Sequence, residues 1–188
     1  MDSPTTDRVK FDGTAAEEKV SDILEAISQA SARTISSLKA TLKPQSLHRA
    51  VGLLDRAGAT CVIGNGDTFP VAALLTNGLN DRGRVCNIFG PYGSVMEHGV
   101  LSLGPDDLLV LIELPGDRLP ENILADARAR KVPILAIAEA AAHSKAGYCQ
   151  VRLPVPKTRV FGMPTLTGHM AVAQLLLIAL DRYRSATD

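Results

Sequence analysis

Cys61-Val62-Ile63-Gly64-Asn65-Gly66-Asp67-Thr68-Phe69-Pro70 is the stretch that decides the fold. Three apolar residues make a short buried strand, and two glycines make a turn. Pro70 opens a helix, where its missing N–H is no loss. Gly64 and Gly66 can take backbone angles that a Cβ resists. Asp67 or Thr68 is expected to cap the helix by accepting its orphan N–H bonds. A helix N-terminus behind a glycine turn gathers free N–H groups and positive potential, which suits an anion or a polar ligand. The same residues also make a plain strand-to-helix connection that holds nothing.

Downstream, short apolar runs alternate with helical periodicity. The pattern predicts a helix over Val71–Asp81, a strand over Arg84–Phe89, a turn at Gly90-Pro91-Tyr92-Gly93 and a helix over Val95–Leu103. The turn Gly104-Pro105-Asp106-Asp107 leads into Leu108–Glu113, the most apolar strand. A helix over Pro120–Arg130 follows, then strands over Val132–Ala138 and Cys149–Leu153. Pro154–Pro164 reads as an irregular loop, and Thr165–Tyr183 as a very apolar last helix. Upstream, Ala15–Lys43 reads as one long helix with Val20, Leu24, Ile27, Ser31, Thr34 and Leu38 on one face, widened by Ile23 and Ile35. That face must lie on the domain or on a second subunit. Pro44 ends this helix, and Ser46 is expected to cap a second one that stops at Gly58. Residues 1–14 read as a disordered polar tail.

Short apolar strands alternating with helices predict an α/β fold. The expected architecture is a doubly wound three-layer α/β/α sandwich around a five-stranded parallel sheet. In such sheets ligands sit outside the carboxyl ends of the strands, at the switch point. The loops Gly64–Phe69 and Leu114–Leu119 are therefore the places to look.

A chain of 188 residues, 46% hydrophobic and 21% charged, is long enough for one domain with a full core. Lys plus Arg number 20 and Asp plus Glu number 20, so no basic excess draws nucleic acid to the whole surface. No apolar run reaches membrane-spanning length, and the start lacks a secretory pattern. A cytoplasmic protein off the membrane is expected. Cys61, Cys86 and Cys149 are unpaired by spacing and read as buried free thiols. There is no C-x-x-C and no paired His, so no metal is expected.

Cofactor and catalytic motifs are weak. Gly64-x-Gly66-x-x-Phe69 lacks the third glycine of a dinucleotide site, and the second strand ends without an acidic residue for a ribose. No cofactor is expected. No nucleophile elbow exists. His48, His98, His143 and His169 are scattered and read as surface or capping histidines.

From about Pro44 to Tyr183 the chain resembles a sugar isomerase (SIS) domain, most like those at the C-terminus of RpiR-type transcriptional regulators. The lead-in from Leu42 to Leu54 resembles their linker and first helix. Gly64-Asn65-Gly66-Asp67-Thr68 stands where the family has glycine-x-glycine-x-serine, and Gly90-Pro91-Tyr92 where it often has aspartate-proline-histidine. Gly104-Pro105-Asp106-Asp107 matches the turn before the third strand, and Phe161-Gly162-Met163-Pro164-Thr165 the segment before the last helix. The resemblance implies a linker helix over 15–43, an SIS domain over 44–188 and a homodimer or tetramer. It also implies a sugar or sugar-phosphate effector held by Gly64, Asn65, Gly66, Asp67, Thr68, Tyr92, Glu113, Gly116, Asp117, Arg118 and His169.

Two departures qualify this. The family's phosphate loop, serine-x-serine-glycine-x-threonine, is here Glu113-Leu114-Pro115-Gly116-Asp117-Arg118. Both serine hydroxyls are gone, Pro115 removes a backbone donor, and two carboxylates repel phosphate. Arg118 offsets part of this. A neutral or amino sugar, held by Asp67, Glu113 and Asp117, is chemically easier. The residues ahead of Pro44 hold one long helix and no separate helix-turn-helix reader, so this chain alone is not expected to bind DNA. Three readings follow: an effector-sensing domain with no catalysis, a sugar-phosphate isomerase using Glu97, His98, Glu113 or His169 as base, and a structural domain that binds no small ligand.

Overall fold

The computed structural model describes residues 13–89, 100–114, 121–139 and 147–185. Residues 1–12 of the tail predicted over 1–14, the turn at 90–93, most of the helix over 95–103 and the loop at 115–120 lie outside these residues, while residues 13 and 14 already belong to the first helix.

The elements run α1 (Gly13–Thr41), α2 (Pro44–Arg56), β1 (Thr60–Gly64), α3 (Phe69–Asn80), β2 (Cys86–Phe89), β3 (Leu108–Glu113), α4 (Glu121–Ala129), β4 (Ile134–Glu139), β5 (Val151–Val155), β6 (Arg159–Val160), β7 (Met163–Pro164) and α5 (Thr167–Ser185). Five strands form one sheet in the order β2-β1-β3-β4-β5, and every pairing in it is parallel. From β1 the chain turns out to β2, then crosses back to β3 on the other side of β1. The switch point therefore opens between the carboxyl ends of β1 and β3.

Every residue of β1, β3 and β4 is buried, as a parallel sheet covered on both faces requires. Alternation sends Val62, Val110, Ile112, Leu135, Ile137 and Leu153 toward α2, α3 and α5. Cys61, Ile63, Leu109, Leu111, Ile134 and Ala136 go the other way, toward α4 and the segment of Val100 and Leu103. The three-layer expectation holds.

Several local expectations are corrected. Ser46 does not cap α2. Lys43 is the N-cap, and Pro44 sits in the first turn, so one proline both ends α1 and opens α2. The segment Pro154–Pro164 is not irregular: β5 extends through Val155, and β6 pairs antiparallel with β7. Phe161 and Gly162 join β6 to β7 with φ of 48° and 80°, the paired positive values of a type I′ turn. Cys149 lies ahead of β5 and is half-buried, whereas Cys61 and Cys86 are buried. Burial pushes the Cys86 thiol up to about 11, so it stays protonated.

The apolar face of α1 divides in two. Ala30, Thr34 and Leu38 are buried, while Val20, Ile23, Leu24, Ile27 and Ile35 remain 40–61% exposed. Thr34 Oγ1 bonds Ala30 O and Thr158 Oγ1, and Ser31 Oγ bonds Thr167 Oγ1. The second half of the helix is thereby tied to the start of β6 and of α5. Among the described residues no helix is long and apolar enough to cross a membrane.

Candidate functional site at the switch point

Gly64 ends β1 because nothing larger fits. A Cβ there would lie 2.8 Å from Ala72 Cβ and 2.9 Å from Thr68 O. Gly66 follows with a φ of +53°, a value glycine reaches without penalty. One 3-10 turn over Gly66–Thr68 then leads into α3. Neither Asp67 nor Thr68 caps that helix with its side chain. The fully buried Thr68 hydroxyl instead lies 2.9 Å from Asn65 O and 3.0 Å from Ile112 O. It pins the turn after β1 to the end of β3. Gly66 and Asp67 stand exposed at the mouth.

Glu113, the last residue of β3, is 7% exposed. Its main-chain oxygen accepts a 3.2 Å bond from His169 Nε2, on the first turns of α5. A carbonyl can only accept, so Nε2 carries the proton and Nδ1 is left as an acceptor. Nδ1 is buried and has no partner among the described residues. His169 is therefore not the surface or capping residue expected from sequence; it is 1% exposed. Burial lowers its pKa from the usual 6.5, against the opposing bond to Glu113.

The structure adds Glu139, which sequence reasoning passed over. It ends β4, pairs in register with Val155, and is 1% exposed. Its Oε2 has no partner among the described residues. Burial raises its pKa, with Lys157 and Arg159 pulling the other way. A carboxylate closing the apolar run Ile134–Ala138 was the available signal. Asn65 Oδ1 and Thr165 Oγ1 are also buried without partners among the described residues. These four residues lie at the carboxyl end of the sheet: Asn65 just after β1, Glu139 at the end of β4, and Thr165 and His169 between β7 and the first turn of α5. Buried polar atoms are nearly always satisfied; of the six without a partner among the described residues, four lie at this end and two, on Thr76 and Arg84, elsewhere, so the excess here marks a place suited to polar contact.

The turn Gly64–Thr68 and Glu113 with His169 are thus brought together through Thr68–Ile112 and His169–Glu113. Tyr92, Gly116, Asp117 and Arg118 lie outside the described residues. No group of three His, Cys, Asp or Glu among the described residues is placed to hold a metal.

The His169 shift has a consequence for pH. A histidine whose folded pKa lies below its unfolded 6.5 takes up its proton more readily unfolded. Its contribution is complete above pH 6.5 and is lost as pH falls below it. Acidification from pH 7 to pH 5 is expected to lower the urea midpoint. His169→Gln, which cannot titrate, should flatten that part of the slope.

No protein-family model matches the sequence, and no curated protein does. Solved structures do match. The sugar isomerase domain of an RpiR transcription factor from Sphaerobacter thermophilus superposes with a TM-score of 0.78 at 23% identity, over 85% of this chain and 89% of that one. The chain has the sugar isomerase fold. Vibrio vulnificus NanR complexed with ManNAc-6P gives a TM-score of 0.76 at 17% identity, over 93% of this chain and 69% of NanR. E. coli CFT073 c3406, solved as a complex, gives 0.70 at 17% identity, over 93% and 94%. The sugar isomerase fold thus spans most of the chain.

Proposed function

We propose that this chain binds a sugar or sugar derivative at the switch point, as the effector-sensing part of a transcriptional regulator. The observation that carries this reading is the set of orphaned polar atoms of Asn65, Glu139, Thr165 and His169 at the carboxyl end of the sheet. Hydroxyl groups of a sugar both donate and accept, and so answer such a mixed set. NanR, with a similar fold, is complexed with ManNAc-6P. The ligand-binding residues proposed here are Gly64, Asn65, Gly66, Asp67, Thr68, Glu113 and His169, with Tyr92, Gly116, Asp117 and Arg118 assigned from sequence alone.

The sequence Glu113-Leu114-Pro115-Gly116-Asp117-Arg118 disfavours a phosphorylated ligand, for the reasons of charge and lost donors given above. Neutral and amino sugars should bind better than their phosphates. A thermal-shift screen followed by calorimetry tests this, because a ligand of the native state alone must raise the melting temperature. Changing Glu113→Ser, Pro115→Ser and Arg118→Thr together should improve phosphate affinity, since each hydrogen bond to a charged group is worth roughly 1.5–3 kcal/mol. Absence of any saturable stabilisation by the panel would overturn the reading. Tight native phosphate binding that the triple change weakens would show that Arg118 holds the phosphate.

The same reading includes a homodimer. Val20, Ile23, Leu24 and Ile27 continue the buried face of α1 into solvent, and a second copy offers the matching apolar surface. Light scattering at micromolar concentration should give a dimer or larger. Ile23→Asp with Ile27→Asp should give a monomer that stays folded, because neither side chain reaches the core. A monomeric wild type would remove this part of the proposal.

A further inference from the structure

A second cavity lies at the opposite end of the sheet. It measures about 150 Å³ and sits between α2, the start of β5 and the end of α5. His48, Arg49, Gly52, Arg56, Gln150 and Tyr183 line it. The five residues of β5 put roughly 16 Å between the two ends of the sheet, at about 3.3 Å each, and the switch point lies further across it, between β1 and β3.

Its charge is one-sided. Two guanidinium groups and an imidazole face it, and among the described residues no carboxylate lines it. The nearby carboxylates serve other arginines: Asp55 pairs with Arg84, and Asp181 with Arg82. Among the described residues neither Arg49 nor Arg56 belongs to an ion pair. Arg49 is held in place by its Nη2, which donates to Gln150 O at 2.9 Å. The His48 ring meets Tyr183 edge-on at 5.5 Å, which fixes the opposite wall.

Gly52 supplies an independent observation. A glycine inside a helix costs stability relative to alanine, and close packing against another element usually explains one. Here the three atoms nearest to a Cβ at position 52 all belong to the Arg56 guanidinium, the nearest being Nη1 at 3.2 Å. The first obstacle to a side chain here is therefore Arg56 itself. The effect of the glycine is to let Arg56, one turn further on, fold back across the cavity floor.

We infer that this cavity is a binding site for a phosphate group, free or carried on a small molecule. Two planar guanidinium forks match the oxygens of a phosphate, which accepts paired N–H bonds from each. A phosphate at neutral pH carries close to two negative charges, which balance the two arginines; a simple carboxylate balances one. An apolar cavity of similar volume holds a six-carbon ring, so the space admits phosphate with a short carbon chain.

The test uses the full chain with inorganic phosphate and glycerol phosphate as probes, and chloride holding ionic strength constant. Both probes are expected to raise the melting temperature saturably. Arg49→Ala with Arg56→Ala should abolish the shift, with a weakening of about 10- to 100-fold per guanidinium removed. Gly52→Ala should keep or raise the melting temperature without phosphate yet weaken the phosphate response, because the new Cβ displaces Arg56. A response to glycerol phosphate but not to inorganic phosphate assigns the site to an esterified ligand. No saturable shift with either probe overturns the inference. A shift that survives the double arginine change overturns it too, and would move the phosphate to the switch point.

Discussion

Gly64→Ala is expected to lower the free energy of unfolding by ~1–3 kcal/mol, the usual cost of forcing an extra methyl into a packed site. The added Cβ meets Ala72 Cβ at 2.8 Å and Thr68 O at 2.9 Å. Neither neighbour is the end of a flexible side chain. The backbone of the turn must move, and with it the start of α3. Ligand affinity at the switch point should fall along with stability. Gly66→Asn is the matching control. Nothing lies within 4 Å of a Cβ at Gly66, so only the positive φ resists substitution, and Asn tolerates that region better than other residues. Urea titration of both variants separates crowding from backbone strain. A Gly64→Ala midpoint indistinguishable from wild type would show that the turn is looser than its contacts imply.

The architecture was legible because burial on both faces leaves its mark on single residues. Leu108–Glu113 reads as a parallel core strand from its unbroken apolar run, and it forms β3 within those bounds. Turns whose chemistry departs from the common residues were not legible. Phe161 at a positive φ stands where Asn or Gly normally announces a hairpin, so β6 and β7 went unread. The switch-point loops were found from topology, since the order of strands and helices fixes where they come together. His169 was misjudged for a physical reason. One histidine in an apolar helix looks the same in sequence whether it faces solvent or a carbonyl 56 residues away. Glu139 was missed similarly: its burial depends on Val155 beside it in β5, a contact that only the register of the sheet supplies. Both residues are therefore products of long-range packing, and both carry orphaned atoms at the site.

Thr68→Val tests whether one hydroxyl holds that site together. Valine keeps the shape of threonine and loses only the oxygen. Thr68 is fully buried, and its hydroxyl bridges Asn65 O and Ile112 O. Removing it strands two carbonyl contacts away from water, at a cost of ~1–3 kcal/mol. Thr68→Ser is the complement: it keeps the hydroxyl and deletes a methyl worth about 0.8 kcal/mol. If the hydroxyl matters most, valine should destabilise more than serine although it preserves the packing. The effect on binding should be sharper still. Without the bond to Ile112 the turn Gly64–Thr68 is released from the end of β3, and Asn65 and Glu113 no longer share a fixed geometry. Calorimetry with whichever sugar stabilises the wild type should show weaker binding for valine and near-native binding for serine. Equal affinities in all three proteins would mean that the backbone of the turn, rather than the hydroxyl, sets the geometry of the switch point.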